Sequence, residues 1–406
     1  MISIPVVFSQ IASTSSRSNK EQLLEYLKMS EVNQEAQEVL VAAFNPTIDY
    51  YIKKFPMPKI YFGNLSLIDA VRELDTLSSR RLTGNAAKQW VNETLSRLSA
   101  EDADIFAKVI KKDLKCGFRA NTVNKIWPDL IYQHPYMRCS GFSEQTLKNI
   151  TFPCKTQTKM DGMYCDIIVT DEGVVYRSRQ GTNLNLNMAE RDHRLMALRK
   201  NYGNYVLQGE IMVESAGEDE ARSDGNGYVN SDDRDLNRIH FVLWDIVDHN
   251  HFLMGKGNDD YNTRFAFLAS FLYGDKASGG FEKYNITLVE SRNCHNKEDI
   301  INHFTAVREK GLEGIIIKDL TGMWKDGTSK HQIKVKVIIE VDLVVTGWKF
   351  GKEGTKNATR LGTIVMQSSD GLCEVGCGGG MSDKERVEFL KEVDHWVDVG
   401  QIATIK

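Results

Sequence analysis

Phe152-Pro153-Cys154-Lys155-Thr156-Gln157-Thr158-Lys159-Met160-Asp161-Gly162 is the stretch on which the reading of this chain turns. It opens an apolar alternation from Met163 to Val169, the period of a strand. A lysine at a strand edge, an aspartate two residues on and a glycine next place a covalent nucleophile on a tight turn. Taken alone, such a tetrapeptide more often marks an ordinary surface lysine. A free lysine amine has a pKa of about 10.4 and must lose its proton before it can attack phosphorus. Neighbouring cations, a metal or burial lower that value. The phosphoryl oxygens also need positive charge, from Lys, Arg or Mg²⁺. Mg²⁺ in turn takes one or two carboxylates, with waters and phosphates completing its shell. A working lysine therefore demands carboxylates on rigid elements, further lysines and an aromatic face for a base.

The chain supplies each in order. Gln208-Gly209-Glu210 sits in Tyr205–Val213, which reads as a strand, and Trp244-Asp245 sits in a second, Ile239–Val247. Gly311-Leu312-Glu313-Gly314 precedes Ile315-Ile316-Ile317-Lys318, a short buried strand ending in a cation. In Ile333-Lys334-Val335-Lys336-Val337 the alternation sends both lysines to one face and the apolar residues to the other.

This ordered set resembles the motifs of covalent nucleotidyltransferases: the ATP-dependent DNA ligases, RNA ligases and mRNA capping enzymes. Tyr50-Tyr51-Ile52-Lys53-Lys54-Phe55-Pro56, Arg81-Leu82-Thr83-Gly84-Asn85-Ala86-Ala87, Asp113-Leu114-x-Cys116-Gly117 and Asn124-Lys125-x-Trp127-Pro128 narrow the resemblance to DNA ligases of the T-even-type bacteriophage kind. The resemblance implies that Lys159 carries AMP as a phosphoramidate and that Asp161 positions the nick or assists the 3′-hydroxyl. It assigns Gln157 to the adenine amino group, Trp244 to the adenine face, Glu210 and Glu313 to ribose and metal, and Lys318, Lys334 and Lys336 to the triphosphate. Arg179 matches an arginine that contacts the nick phosphate and Arg264, less specifically, a basic family position; both are read as DNA contacts. Arg222, with Asn226-Gly227 and Asn230, matches a DNA-contacting loop. The cofactors implied are ATP and Mg²⁺, and the partner is nicked double-stranded DNA, bound by a monomer. The second reading within this chemistry is an RNA ligase or capping-type transferase; the third is a non-catalytic nick-binding protein.

Three departures stand out. The family pattern is K-x-D-G-x-R, and position 164 here is tyrosine, which cannot replace a bidentate guanidinium. Nick binding is expected to be weaker, or compensated by Arg138 or Arg179. Gln208 replaces the usual aspartate before Gly209-Glu210. No R-x-D-K-like motif follows near the end; Ser382-Asp383-Lys384 lies too early and lacks the arginine. Slow formation of lysyl-AMP, with sealing of pre-adenylated nicks retained, is the expected consequence.

Composition sets the frame. A chain of 406 residues, 41% hydrophobic, suggests two or three domains with real cores. The expected architecture is an all-α DNA-binding domain over 1–133, an α+β nucleotidyltransferase domain over 134–337, and an OB-type β-barrel over 338–406, truncated as it stands. Leu23, Leu24 and Leu27 make a helical stripe, Ser66 to Leu77 another, and Ser99-Ala100-Glu101-Asp102 a capping signal. No run reaches the roughly 18 apolar residues of a membrane span. Met1-Ile2-Ser3-Ile4-Pro5 lacks the basic start of a signal peptide. Seven scattered cysteines favour reduced thiols and a cytoplasmic setting, the host's if the source is viral. Net charge is −4, so distribution matters more than total. Lys108, Lys111, Lys112, Lys115, Arg119 and Lys125 face a single acid, Asp113; in these surroundings Lys111, Lys112 and Arg119 are read as duplex contacts. Glu214–Asp235, acidic and rich in Gly, Ser and Asn, reads as a surface loop.

Overall fold

The computed structural model describes residues 3–215, 218–219, 222–229, 231, 234–274, 280–337, 340–352 and 357–405. The chain divides into two compact units, one of residues 1–44, 52–131 and 338–406, the other of 45–51 and 132–337. Its class is mixed α and β over several domains.

The first unit begins with helices alone among the described residues: α1 (Ile4–Ser13), α2 (Arg17–Lys28), α3 (Asn33–Phe44), α4 (Leu67–Arg72), α5 (Asp75–Ser78), α6 (Gly84–Arg97), α7 (Ala100–Ile110) and α8 (Ala120–Ile126). Serine caps set several starts. Ser99 Oγ accepts from the Asp102 amide at 3.1 Å and donates to its carboxylate at 3.0 Å, so the serine caps the first turn and the acid holds the hydroxyl. In α7, Ile105, Phe106, Val109 and Ile110 are buried as a stripe. The stretch Ser66–Leu77 is two helices rather than one. Leu74 N bonds the Val71 carbonyl only three residues back, which tightens the turn and ends α4.

The second unit holds two sheets. Its elements are β1 (Met137–Gly141), α9 (Glu144–Leu147), β2 (Cys154–Thr158), β3 (Met163–Thr170), β4 (Gly173–Ser178), β5 (Asn183–Leu184), α10 (Ala189–Tyr202), β6 (Tyr205–Ser215), β7 (Glu218–Asp219), α11 (Arg222–Val229), β8 (Ile239–Asp248), α12 (His249–Leu253), α13 (Tyr261–Tyr273), β9 (Ile286–Leu288), β10 (Ser291–Cys294), α14 (Lys297–Glu309), β11 (Gly314–Asp319) and β12 (Gly327–Lys336). The larger sheet runs β5-β4-β3-β6-β8-β9, with β7 beside β6; the smaller runs β1-β12-β11-β2-β10. Part of Glu214–Asp235, expected as loop, is helix α11, whose Val229 joins the core of the larger sheet.

Alternation gives the smaller sheet two unlike faces. Cys154, Ile315, Ile317 and Ile333 pack on Ile300 and Val307 of α14. The register Thr156↔Ile317↔Ile333 keeps these rows aligned. The opposite face carries Lys155 and Gln157 from β2, Ile316 and Lys318 from β11, and Gln332 and Lys334 from β12. It meets α13, where the Lys155 and Lys318 ammonium groups lie 4.8 and 4.7 Å from the ring centres of Phe265 and Tyr261.

The first unit resumes with β13 (Val341–Phe350), β14 (Leu361–Gln367), β15 (Glu374–Cys377), α15 (Asp383–Phe389), α16 (Val393–Val399) and β16 (Ile402–Ile405). The strands form one antiparallel sheet, β15-β14-β13-β16, over Leu343, Val345 and Met366. Ser382 and Glu385 make a capping box, so Ser382-Asp383-Lys384 is a helix start. Among the described residues, no helix is long and apolar enough to cross a membrane.

Candidate active site

Three rows of side chains cross the smaller sheet on the face toward α13. One is Gln157–Ile316–Lys334 and another Lys155–Lys318–Gln332. In the third Gly314 opposes Lys336, and the Lys159 amide donates to the Gly314 carbonyl at 2.8 Å. Successive rows are roughly 7 Å apart, the rise of two strand residues. Register between strands distant in sequence thus gathers five lysines on one face.

Lys159 leaves the end of β2 and its ammonium meets the Glu313 carboxylate. The other oxygen of Glu313 lies 4.0 Å from Lys336 Nζ. The neighbouring glycine is sterically required: Gly314 has φ +153°, and a Cβ there would overlap the Val335 carbonyl. The other end of the lysine loop is fixed by Glu210, whose Oε2 accepts from the Gly162 amide at 3.0 Å. A Cβ on Gly162 would overlap the Ile211 carbonyl and come within 2.6 Å of Met212 Sδ. Asp161 is exposed on this loop.

Trp244 is the extra residue of a β-bulge. Gln208 opposes Asp245 and Gly209 opposes Leu243, so Trp244 has no partner across the ladder. Bulges re-aim side chains; this one sets the indole, half-buried, among Met160, Met212, Tyr261 and Phe265. Gln157 Nε2 donates to the Tyr261 hydroxyl at 2.6 Å, and that hydroxyl donates to the Trp244 carbonyl at 3.1 Å. Tyr261 thus links the Gln157 side chain to the Trp244 backbone.

Two expected ligands sit differently. Lys318 is buried beside a small cavity lined by Tyr261, Arg264, Ser329, His331 and Gln332, and burial pushes its pKa down. Lys334 is exposed in the row between Lys318 and Lys336. Arg264 does not present itself to DNA. Its guanidinium is buried and grips both oxygens of Asp245, at 2.8 and 3.0 Å, and it donates to the carbonyls of Asp259 and Gly322. It is a scaffold cation.

Arg179 is exposed after β4, with its guanidinium 4.5 Å from the Tyr136 ring centre. Tyr164, expected to leave a deficit, is buried and donates to Asp166 Oδ1 at 2.8 Å; Arg138 is exposed and donates to Thr328 Oγ1 at 3.5 Å. In the helical region Lys112 is partly spent on structure: its Nζ donates to the Ala42 carbonyl at 2.9 Å. Lys111 and Arg119 are exposed, the first over Phe55 and the second 3.8 Å from Asp113. Asn230 and the side chains of Arg222 and Asn226 lie outside what the structure describes.

The sequence reading missed Lys155, although period two from Gln157 and Lys159 places it on the same face. It also missed Cys139 of β1. Burial raises that thiol, while Lys318, Lys334 and Lys159 pull it the other way. No local signal could have found it.

Residues 137–336 match the family of the ATP dependent DNA ligase domain. Over 94% of its length the chain is 28% identical to the DNA ligase of Enterobacteria phage T4, of which 85% is covered, and to that of phage T6 to the same extent. The solved structure named Pmar-Lig_PreS3 shares its fold with a TM-score of 0.73 at 23% identity, over 100% of this chain and 94% of that one.

Proposed function

We propose that this chain, which belongs to the ATP-dependent DNA ligases, seals nicked duplex DNA with Lys159 as the residue that carries AMP. The amine of Lys159, once deprotonated, attacks the α-phosphorus of ATP, and the bond to pyrophosphate breaks. An oxygen of the 5′-phosphate at the nick then attacks the AMP phosphorus, returning the lysine. Finally the 3′-hydroxyl attacks the activated 5′-phosphorus and AMP leaves. The observation that carries this reading is the contact of Lys159 with Glu313, across two strands whose motifs are 154 residues apart.

Position supports the remaining roles. Glu313 orients the amine and is the base within reach of its proton. Gln157 spends its amide hydrogen on Tyr261, leaving its carbonyl oxygen to accept from an adenine amino group. Trp244 gives the base a ring face. Lys334 and Lys336 meet the phosphates, while Lys318, buried in its row, adds field from behind. Asp161 serves the nick end of the reaction and Arg179 its phosphate.

Glu210 on β6 and Glu313 just before β11 would supply the one or two carboxylates that Mg²⁺ takes, with phosphates and waters completing its shell. When bound it neutralises charge on the phosphoryl oxygens. The larger organisation we propose is a helical duplex-binding domain over 1–133, the adenylation domain over 134–337 and an OB-type domain from 338, acting as a monomer in a host cytoplasm.

Incubation with ATP labelled in its α-phosphate tests the central claim. Wild type takes the label covalently, and Lys159→Ala takes none. Label retained by Lys159→Ala would reject Lys159 as the nucleophile.

A further inference from the structure

Behind the lysine loop lies a buried polar network that the roles above do not use. Asp166 of β3 is fully buried. Its Oδ1 accepts from the Tyr164 hydroxyl at 2.8 Å and from Gln208 Nε2 at 2.9 Å, and its Oδ2 meets His134 Nε2 at 2.6 Å. Gln208 Nε2 also lies 2.7 Å from the Tyr164 oxygen, and Gln208 Oε1 accepts from the Trp324 indole at 2.7 Å. The Tyr132 hydroxyl closes the chain on His134 Nδ1 at 3.0 Å. A buried carboxylate is costly unless its oxygens are met in this way. A core that needed only stability would do as well with apolar side chains.

What the network holds is the ring of Tyr164. Burial, and then the adjacent Asp166 carboxylate, push the Tyr164 phenol well above its usual range, so it remains a donor. The ring lies 5.9 Å from Trp244 on one side and meets Tyr136 edge-on at 4.7 Å on the other. Arg179 covers Tyr136. In the strand ladder Tyr164 opposes Glu210, and Gln208 opposes Asp166. Trp244, as a bulge residue, lacks a ladder partner of its own and so depends on such side support. Tyr164 and Gln208, read from sequence as two separate departures, are one hydrogen-bonded pair.

We propose that Tyr164, pinned by Asp166 and Gln208, is a positioning residue that fixes Trp244 as the face for the nucleotide base. This rests on the assignment of Trp244 to the base and Lys159 to AMP. The network acts on ATP capture through the ring contact and leaves the phosphoryl chemistry at Lys159 alone.

A double-mutant cycle tests it, reading the rate of lysyl-AMP formation against ATP concentration in the full chain. Tyr164→Phe keeps the ring and removes one oxygen. It is expected to raise the KM for ATP about tenfold while the maximal rate stays within about threefold. In a Trp244→Ala background the same change is expected to shift KM by less than about twofold, because the platform it supports is gone. A full tenfold effect in that background, or none in wild type, overturns the proposal. Gln208→Met, run through the same cycle, supplies the answer if Tyr164→Phe does not fold. Failure of the underlying assignment shows itself separately, as label on Lys159→Ala or an unchanged KM in Trp244→Ala.

Discussion

Glu313 faces two ammonium groups at once, Lys159 in contact and Lys336 at 4.0 Å. In the proposed reaction this carboxylate would orient the nucleophile and offer an oxygen to a metal. Glu313→Gln keeps the shape and loses the charge. It is expected to slow label uptake from ATP by about a hundredfold or more, with part of the loss recovered at raised Mg²⁺. Lys336→Ala removes a longer, more exposed contact and is expected to cost roughly tenfold at sub-saturating ATP. A labelling time course over a Mg²⁺ series reads both; a wild-type rate for Glu313→Gln would leave its contact as a resting ion pair only. These residues were legible because each acid borders a glycine that packing demands, as at Gly314 and Gly162. Lys155, Tyr136, Tyr261 and Cys139 were not. Their placement comes from register among strands that start at 137, 154 and 314 and from a helix at 261, and no local pattern encodes it.

Arg264 shows what an element does to a residue read as a DNA contact. Its helix, α13, starts at an Asp260 cap that accepts from Thr263 N at 2.8 Å, and the first turn carries the arginine inward onto Asp245. Breaking such a buried pair leaves one charge uncompensated. Arg264→Ala is expected to lower the unfolding free energy by about 3–5 kcal/mol, read by urea titration, with the nick affinity of the folded fraction unchanged. A loss of nick affinity at unchanged stability would return Arg264 to the DNA surface. On α14, His303 Nδ1 meets Thr156 Oγ1 at 2.6 Å behind the lysine face, and burial holds the imidazole below its ordinary 6.5. The unfolded chain takes up this proton more readily than the folded one. The contribution of His303 is therefore full above the unfolded value and is lost as pH falls through it toward the folded one. The urea midpoint is expected to drop more between about pH 7 and about pH 5 in wild type than in His303→Gln; equal drops would sink this. Helix α14 carries its signals locally, with Ile300 and Val307 on one stripe and Asn296 as its cap. Helix α10 does not, because its buried positions are Leu195 and an arginine. Arg191 fills a core place between Tyr176 and Phe241, so the stripe does not look apolar.

At the scale of the molecule the question is how a chain of net charge −4 holds an anionic duplex. The shift from helical to strand periodicity near residue 134 was legible, and β1 starts at Met137. The division of labour among the cations before it was not, because a charge run does not say which ammonium groups face water. Lys20 and Lys28 donate to the carbonyls of Cys116 and Ile126, and Lys112 to that of Ala42. Lys111 and Arg119 stay exposed. Phosphate contacts release counterions, so each one lost lowers the salt dependence of binding by about one counterion. Lys111→Ala and Arg119→Ala are each expected to reduce the slope of log affinity against log salt by about 1, equally for any sequence flanking the nick. Lys112→Ala is expected to leave the slope alone and to cost about 1–3 kcal/mol of stability, since it strips a partner from a helix-end carbonyl. Fluorescence anisotropy of a labelled nicked duplex over a salt series, beside a urea melt of each variant, separates the two kinds of lysine. An unchanged slope in Lys111→Ala and Arg119→Ala would move duplex binding away from this face. A reduced slope in Lys112→Ala would show that its bond to Ala42 gives way when DNA arrives.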